Sequence, residues 1–173
     1  MHDPLPWSGA RVVLRRLRPD DLGPFQAYRH DAEVGRYQGW EPQSDEDARA
    51  FIAEMSQAEF GRPGEWLQIA IADATDDGLL GDIGLAVMDA TEAEFGITLA
   101  REAQGRGLAE EAARTLVAGL RAHTGLRLLV GITDTRNTAS ARLLERLGMT
   151  LDAEVAADFR GEPCHERHYG MAL

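Results

Sequence analysis

A short glycine-rich segment in the middle of the chain holds the residue types best suited to binding phosphate. It has the sequence Gln104-Gly105-Arg106-Gly107-Leu108-Ala109 and separates a strand-like run, which ends near Ala100, from an amphipathic helix. Backbone N–H groups at a helix N-terminus, with the positive end of the helix dipole behind them, bind a pyrophosphate. The two glycines let the backbone approach the anion closely. The segment alone does not distinguish a phosphate-binding loop from a tight turn.

One fold that uses such a loop, the dinucleotide-binding fold, does not suit this chain. Its signature is Gly-x-Gly-x-x-Gly or Ala, but Glu110 occupies the last position and would place a carboxylate beside the phosphates. The fold also needs several parallel strands after the loop, and only 39 residues follow Asp134, where the next strand-like run ends. A Rossmann fold is therefore disfavoured.

A second cluster of reactive side chains lies near the C-terminus. It has the sequence Cys164-His165-Glu166-Arg167-His168, which contains the residue types of a metal site. On a strand, His165 and His168 point to opposite faces because their spacing is odd. We therefore predict no metal site. Cys164 is the only cysteine and cannot form an internal disulfide, as expected in a reducing compartment.

Length and composition favour one globular domain over residues 1–173. The chain is 44% hydrophobic and 27% charged, which is ordinary for a globular protein. No apolar run approaches the roughly 20 residues of a membrane helix, and the segment Met1-His2-Asp3-Pro4 does not begin a secretion signal. We expect a cytoplasmic protein with no membrane partner.

The charge balance argues against several classes of partner and cofactor. The net charge of −11 argues against a nucleic-acid partner, because phosphate neutralisation needs clustered cations. All 18 basic residues are arginine, so the chain lacks the lysine of a pyridoxal Schiff base or a Walker-type loop. Residues 101–150 carry eight arginines and five acidic residues, whereas the rest of the chain is strongly acidic. One segment can thus hold an anion while the remainder attracts a cation.

The first half of the chain has the pattern of an edge strand, two helices and an antiparallel meander. Proline and acidic residues favour a first helical turn, and Ser44 followed by Asp47 is a capping pattern. Short apolar runs bounded by turns predict the meander. The predicted elements are an edge strand at 11–17, a helix at about 19–29, a helix that begins at Ser44, and strands at 65–73, 79–89 and 92–100.

The second half alternates helices and strands. Apolar residues at helical spacing predict a long helix, and a continuous apolar run predicts a strand covered on both faces. Gly148 suits the end of a helix. The predicted elements are a helix at 105–123, a strand at 127–134, a helix at 137–147, and a closing hairpin of 150–159 and 162–173 around Arg160-Gly161. The fold class is mixed α/β.

Three stretches together resemble the GCN5-related N-acetyltransferases, the GNAT superfamily. Gln104-x-x-Gly107-x-Ala109 is similar to the Gln/Arg-x-x-Gly-x-Gly/Ala signature that binds the pyrophosphate of acetyl-coenzyme A (acetyl-CoA). The run from Asn137 to Met149 resembles the Asn-x-x-Ser…Leu-Glu-x-Leu-Gly-Phe run of the RimJ/RimL branch, the ribosomal-protein N-terminal acetyltransferases and their relatives. Residues 12–21 resemble that branch's opening strand and helix. The likeness covers about residues 11–170.

The resemblance implies a fold and a reaction. The fold is a central, mostly antiparallel sheet flanked by helices, with two middle strands splayed near Glu94 and Gln104 to admit the pantetheine of the coenzyme. The reaction is transfer of the acetyl group from acetyl-CoA, without a metal, to a primary amine. The acidic remainder of the chain favours a cationic acceptor, such as a peptide N-terminus with basic residues, a polyamine or an aminoglycoside. Dimers are common in the family, and no sequence feature here decides between a monomer and a homodimer.

The resemblance also assigns roles to residues. Acyl transfer to an amine needs a base, a partner for the oxyanion and a proton for the departing thiolate. Glu94 matches a common family glutamate and is the predicted base, acting through water, while Ser140 is predicted to donate to the sulfur. The predicted coenzyme-binding residues are Thr98 or Leu99, whose N–H would bind the acetyl oxygen, Asn137, and the loop residues Gln104, Gly105, Arg106, Gly107, Leu108 and Ala109.

Several of these residues also have an ordinary structural interpretation. Glu94 could be a solvated carboxylate, Ser140 could bond a carbonyl one turn back, and Asn137 could be a helix N-cap. The aromatic residues Tyr37, Trp40 and Trp66 either line an acceptor cleft or fill the core. The arginines Arg101, Arg106 and Arg142 are surface charges or phosphate partners, with Arg106 the best candidate.

One departure from the family pattern leaves two alternatives open. Many members carry a tyrosine acid seven residues after the asparagine, and Leu144 stands there. The chain could therefore be a non-catalytic CoA-binding sensor. Within enzymes, it could transfer a larger acyl group such as succinyl, which would need a wider slot near Ala86, Met88 and Thr98.

Overall fold

The computed structural model describes residues 3–173, which build one eight-stranded sheet and four α-helices. The strands are β1 (Trp7–Ser8), β2 (Val12–Arg16), β3 (Trp66–Asp73), β4 (Leu79–Val87), β5 (Glu92–Leu99), β6 (Leu128–Asp134), β7 (Thr150–Phe159) and β8 (Glu162–Ala172). The helices are α1 (Leu22–Arg29), α2 (Asp45–Gln57), α3 (Leu108–His123) and α4 (Thr138–Arg146). The strand order is β1-β2-β3-β4-β5-β6-β8-β7. No helix in this part of the chain is long and apolar enough to cross a membrane.

Local sequence signals fix the ends of several elements. The Ser44 hydroxyl accepts a hydrogen bond from the Asp47 N–H at 3.1 Å and caps α2, as predicted. The Asn137 side chain caps α4 in the same way, and Gly148, with φ of 86°, follows that helix in the left-handed region. Arg160 and Gly161 also have positive φ and turn the closing hairpin of β7 and β8.

The register of the sheet produces the predicted splay between two middle strands. Strands β3, β4 and β5 form the predicted antiparallel meander. Strand β5 pairs with β6 in parallel, but only Glu92–Phe95 and Leu128–Gly131 are paired. Beyond Phe95 the two strands separate, so the backbone of Gly96–Leu99 has a partner strand on the β4 side alone.

Helices cover both faces of the sheet. Helix α3 packs on β1, β2 and β5, whereas α1 packs on β4 and α2 on β3. Side chains alternate between the faces along each strand, so β4 presents Ile83 to one face and Asp82 to the other. The residues with no exposed side-chain surface include Leu14, Ile69, Ile83, Leu116 and Leu129. Each stabilises the fold by about 1.5–3 kcal/mol through apolar burial.

Three predictions are wrong: where α3 begins, which strand lies at the edge of the sheet, and how fully β6 is covered. The helix predicted at 105–123 begins at Leu108, because Gly105 and Gly107 have φ of 72° and 76° and cannot continue a right-handed helix. The predicted edge strand at 11–17 is not at the edge, since β1 pairs outside it. The strand predicted to be covered on both faces, β6, alternates buried and half-buried residues. The part of β6 beyond Gly131 borders the gap.

Candidate active site

Two cavities lie on either side of the gap between β5 and β6. The loop cavity, of about 670 Å³, is bordered by the glycine-rich loop, the start of α3 and one side of α4. The strand cavity, of about 550 Å³, lies over the polar face of β3–β6 and is closed by the segment before α2 and by the β7–β8 turn. The residues that line both cavities are Tyr37, Gln38, Ile97, Thr98, Asn137 and Ser140. The cavities therefore meet at one junction.

The structure brings nearly all of the predicted site residues to these cavities. Arg106 is the exception, because its exposed side chain lines neither of them. Glu94 lines the strand cavity. Those that line the loop cavity, some of them also the strand cavity, are Thr98, Leu99, Gln104, Gly105, Gly107, Leu108, Ala109, Asn137 and Ser140. Of the slot proposed for a larger acyl group, Thr98 lines the cavities and Ala86 and Met88 do not.

The start of α3 offers unpaired backbone donors to the loop cavity. The first bond of the helix runs from the Glu111 N–H to the Gly107 carbonyl at 3.1 Å. The three preceding N–H groups, of residues 108–110, have no partner within the helix. All three residues line the loop cavity. Together with the helix dipole, this turn has the geometry of an anion site.

A carboxylate inside this anion site is neutralised by two arginines. Glu110 lines the loop cavity, and its side chain bonds Arg114 at 2.9 Å and Arg146 at 3.0 Å. These hydrogen bonds lower the pKa of Glu110, so it is ionised and paired. Arg142 also lines the cavity, whereas Arg101 is held away by Asp31 at 2.8 Å. Of the three arginines considered from sequence, only Arg142 faces this cavity.

The unpaired half of β5 directs the backbone N–H groups of Ile97 and Leu99 into the gap. The carbonyls of Ile97 and Leu99 accept hydrogen bonds from the side chains of Gln38, at 3.4 Å, and Gln104, at 3.0 Å. These carbonyls point away from β4. In a strand, the N–H of a residue points to the same side as its carbonyl, so the Leu99 N–H also faces the gap. Of the two backbone N–H groups predicted to bind the acetyl oxygen, the geometry favours that of Leu99. Thr98 lines both cavities with its side chain.

Glu94 is the carboxylate best placed to act as a base. It is half-buried in the strand cavity, and this burial raises its pKa; Glu166 and Glu92 act in the same direction, and His168 opposes them. No arginine between residues 3 and 173 lies within salt-bridge distance of Glu94. A carboxylate with a raised pKa and no fixed partner is typical of a catalytic base.

Of the other three carboxylates that line the strand cavity, Asp82 and Asp134 are paired with arginines, and Glu166 lies 3.7 Å from His168. Asp82 is buried, accepts a hydrogen bond from the Tyr28 hydroxyl and pairs with Arg29 at 2.8 Å. Burial, followed by the charge of Asp82, raises the pKa of Tyr28 well above its usual value. Asp134 pairs with Arg136 at 2.7 Å. Asp82 is not among the residues predicted from the sequence, although an acidic residue within an apolar strand is a signal for a buried, paired carboxylate.

Aromatic side chains form the outer wall of the strand cavity. Tyr37, Trp40, Trp66 and Phe159 line it, and Trp66 remains 47% exposed. The guanidinium of Arg29 lies 4.5 Å from the Trp40 ring centre, which fixes one side of the wall. Of the two interpretations of Tyr37, Trp40 and Trp66, the structure favours a cleft over a core.

Helix α4 contributes its first turn to the junction and its second turn to the core. The Asn137 side chain accepts from the Ser140 N–H at 3.1 Å, so its predicted role as an N-cap is confirmed. The Ser140 hydroxyl has no hydrogen-bond partner among the described residues. Leu144 is only 4% exposed, packs against Gly131 and lines neither cavity. A proton donor is therefore absent from the second turn within the described site.

Comparisons with known proteins agree with this geometry. A family model described as an acetyltransferase (GNAT) domain matches residues 11–150. The fold is similar to a GNAT-family acetyltransferase from Bacillus anthracis, with a TM-score of 0.85, 19% identity, and 97% of this chain and 98% of that chain covered.

Two structures that contain coenzyme A share the fold. The spermidine N-acetyltransferase from Vibrio cholerae, in complex with CoA and spermine, has a TM-score of 0.78 and 20% identity, and covers 94% of this chain and 96% of its own. RimL, a ribosomal L7/L12 alpha-N-protein acetyltransferase in complex with coenzyme A, has a TM-score of 0.82 and 15% identity, with 98% of both chains covered.

Proposed function

Because the chain belongs to the GNAT acetyltransferase family, we propose that it transfers the acetyl group of acetyl-CoA to a cationic primary amine. The observation that carries the proposal is the junction of two cavities where β5 and β6 separate. One cavity suits an anionic coenzyme and the other a cationic acceptor. A reaction between the two ligands would take place at the residues that both cavities share.

The loop cavity fits coenzyme A. The N–H groups of residues 108–110 would bind the pyrophosphate, and Arg142 would meet a phosphate nearby. The separated strands would admit the pantetheine and bring the thioester to the junction. The coenzyme supplies the activated acetyl group when it is bound. The Leu99 N–H would then donate a hydrogen bond to the carbonyl oxygen of the thioester and stabilise the oxyanion.

The strand cavity suits the incoming amine. Glu94 takes a proton from the ammonium group through a water molecule, and the neutral nitrogen attacks the carbonyl carbon. An N–C bond forms, the nitrogen releases its second proton to water, the C–S bond breaks, and the thiolate leaves with its electron pair toward Ser140. The Ser140 hydroxyl donates a hydrogen bond to the sulfur. These roles need only the residues at and beside the junction.

The charge of the strand cavity supports a cationic acceptor. Four carboxylates line it: Asp82, Glu94, Asp134 and Glu166. Asp82 and Asp134 are paired with Arg29 and Arg136, so Glu94 and Glu166 carry the negative charge that no arginine of the described residues pairs with. The exposed ring of Trp66 adds an aromatic surface that attracts ammonium groups. Peptide N-termini with basic residues, polyamines and aminoglycosides share this chemistry. An acceptor of the RimJ/RimL type is one member of that set.

A thiol-release screen tests the proposal. The purified protein is mixed with acetyl-CoA and with basic peptides, polyamines or aminoglycosides, and free thiol is followed over time. We expect release with at least one cationic amine and none with a neutral alcohol. Succinyl-CoA in the same screen tests the larger acyl group. If calorimetry shows tight CoA binding and no amine causes thiol release, the protein would be a CoA-binding sensor and not an enzyme.

A further inference from the structure

The acyl transfer described above needs a proton donor for the departing thiolate, and α4 does not supply the usual one. Leu144 occupies the position in question and is buried against Gly131. The residues that carry a hydroxyl at the junction of the two cavities are Tyr37, Thr98 and Ser140. An ordinary phenol has a pKa of about 10 and a thiol about 8.5, whereas serine and threonine hydroxyls do not ionise in this range. A phenol is therefore the strongest acid of the three.

Tyr37 reaches the junction from an element other than α4. It lies in the segment between α1 and α2 and lines both cavities. No residue from 3 to 173 forms a hydrogen bond with its hydroxyl, so the O–H is available to a ligand. The guanidinium carbons of Arg36 and Arg136 lie 5.3 and 5.9 Å from its ring centre. The two guanidinium groups pack against the ring and hold it at the junction, and Arg136 is itself paired with Asp134 at 2.7 Å.

We propose that Tyr37 protonates the coenzyme A thiolate, from a different element than the family tyrosine that Leu144 replaces. The Tyr37 O–H bond breaks as an S–H bond forms, and the phenolate regains a proton from water before the next turnover. Ser140 hydrogen-bonds the sulfur and keeps it in place. This assignment rests on the proposed acetyl transfer and adds a catalytic residue to it.

The test compares Tyr37→Phe with Tyr169→Phe, using the best amine of the thiol-release screen. Tyr169 is buried, bonds Glu145 at 3.1 Å and lines neither cavity, so it is a matched control for the lost hydroxyl. We expect kcat of Tyr37→Phe to fall by about 100-fold, in the range of general acid catalysis. Acetyl-CoA affinity by calorimetry should stay within about threefold, since the ring is kept.

The pH profile of kcat separates proton donation from a structural role. A donor must be protonated, so wild-type kcat falls at high pH, and this basic limb should vanish in Tyr37→Phe and persist in Ser140→Ala. The charged groups around the ring are Glu33 and Arg36 on its own segment, Asp134 at the end of β6, and Arg136 just after that strand. Carboxylates titrate below this limb and arginines above it. Cys164 lies beside Asp134, and burial raises the pKa of its thiol. Because a thiol could also produce a basic limb, Cys164→Ala is measured as well, and we expect it to keep the limb.

Each outcome decides one claim. Full kcat and an intact basic limb in Tyr37→Phe, with an active wild type, would overturn the role of Tyr37 and leave the acetyl transfer standing. Loss of the limb in Cys164→Ala would also overturn it. A wild type that releases no thiol with any amine would overturn both the proposed function and this assignment.

Discussion

The guanidinium of Arg11 donates a hydrogen bond from Nη1 to the backbone carbonyl of Arg106 at 2.9 Å, although 94 residues separate the two in the chain. The same guanidinium bonds the Glu111 carboxylate of α3 at 2.7 Å. Arg11, in the turn before β2, therefore connects the glycine-rich loop to the first turn of α3. The loop is held open in the shape that presents its N–H groups.

Replacement of Arg11 by alanine should weaken coenzyme binding. The variant removes the bond to the Arg106 carbonyl, and one such hydrogen bond contributes about 1 kcal/mol, which corresponds to a roughly fivefold rise in Kd for CoA. Isothermal titration calorimetry measures the change. Arg62→Ala is the control, because Arg62 is exposed and pairs only with nearby Glu65. Equal affinity in the two variants would show that the loop keeps its shape without Arg11.

Gly107→Val should weaken coenzyme binding more strongly. Gly107 has φ of 76°, where an L residue is strained by about 1–2 kcal/mol, so the loop would change shape. We expect a roughly tenfold or larger rise in Kd for CoA by calorimetry, from the same energy. Gly125→Val serves as control, because a Cβ at Gly125 meets no atom within 4 Å and its φ is ordinary. An unchanged Kd in Gly107→Val would argue against pyrophosphate binding at this loop.

Glu94→Gln should lower kcat by about 100-fold at neutral pH, since general base catalysis contributes at least that much. The change keeps the size of the side chain and removes the proton acceptor. Thiol release under saturating acetyl-CoA and amine gives kcat. Glu92→Gln, on the same strand, is the control and should keep most of the activity. A Glu94→Gln enzyme with normal kcat would mean that the base lies elsewhere or that the amine arrives already neutral.

The pH dependence of the wild type should follow the raised pKa of Glu94. The base must be ionised, so the rate falls as pH falls through that pKa. Burial, reinforced by Glu166 and Glu92, raises the pKa, so this acid limb lies at higher pH than for an exposed glutamate. In Glu94→Gln the limb should disappear, while any limb from the amine itself remains. If the wild type and Glu94→Gln have the same acid limb, the limb would come from ionisation of the amine substrate and not from Glu94.

Much of the fold follows from local signals in the sequence. The Ser44 cap, the turn-bounded meander and the Arg160-Gly161 turn each depend on a few neighbouring residues, and the structure confirms them. The start of α3 was misplaced by three residues. Apolar spacing continues smoothly into the loop, whereas the backbone angles of Gly105 and Gly107 end the helix there. The spacing of apolar residues indicates which side chains are buried. It does not show where the backbone φ angle becomes positive and a helix cannot continue.

Residues of the candidate site could be named from the sequence where they match a motif or a family position along the chain, as Glu94 does. Gln104, Gly107 and Ser140 belong to such motifs, and all line the loop cavity. Arg11 and Asp82 could not be assigned in this way. Arg11 reaches the loop through the pairing of the first strands, and Asp82 lies opposite Thr98 because of the β4–β5 register. Contacts of this kind depend on long-range packing, which composition and spacing do not contain.

Asp82→Asn should destabilise the fold, because it leaves Arg29 buried without a counter-charge. Arg29 is 5% exposed, and removal of one partner of a buried ion pair costs about 3–5 kcal/mol. For a chain of this length, that loss lowers Tm by roughly 6–20 °C. Differential scanning calorimetry measures it. Glu65→Gln, which breaks the exposed pair with Arg62, is the matched control and should change Tm by less than about 4 °C.

A second variant separates the charge effect from simple loss of packing. The double change Arg29→Met and Asp82→Leu removes both buried charges and keeps apolar volume, so most of the lost stability should return. The Tyr28 hydroxyl then loses its acceptor, which leaves a residual cost of about 1–3 kcal/mol. A double variant less stable than Asp82→Asn would show that the ion pair stabilises this side of the strand cavity beyond its replacement by apolar side chains. A Tm for Asp82→Asn equal to wild type would mean that water reaches Arg29 and the pair is not isolated from solvent.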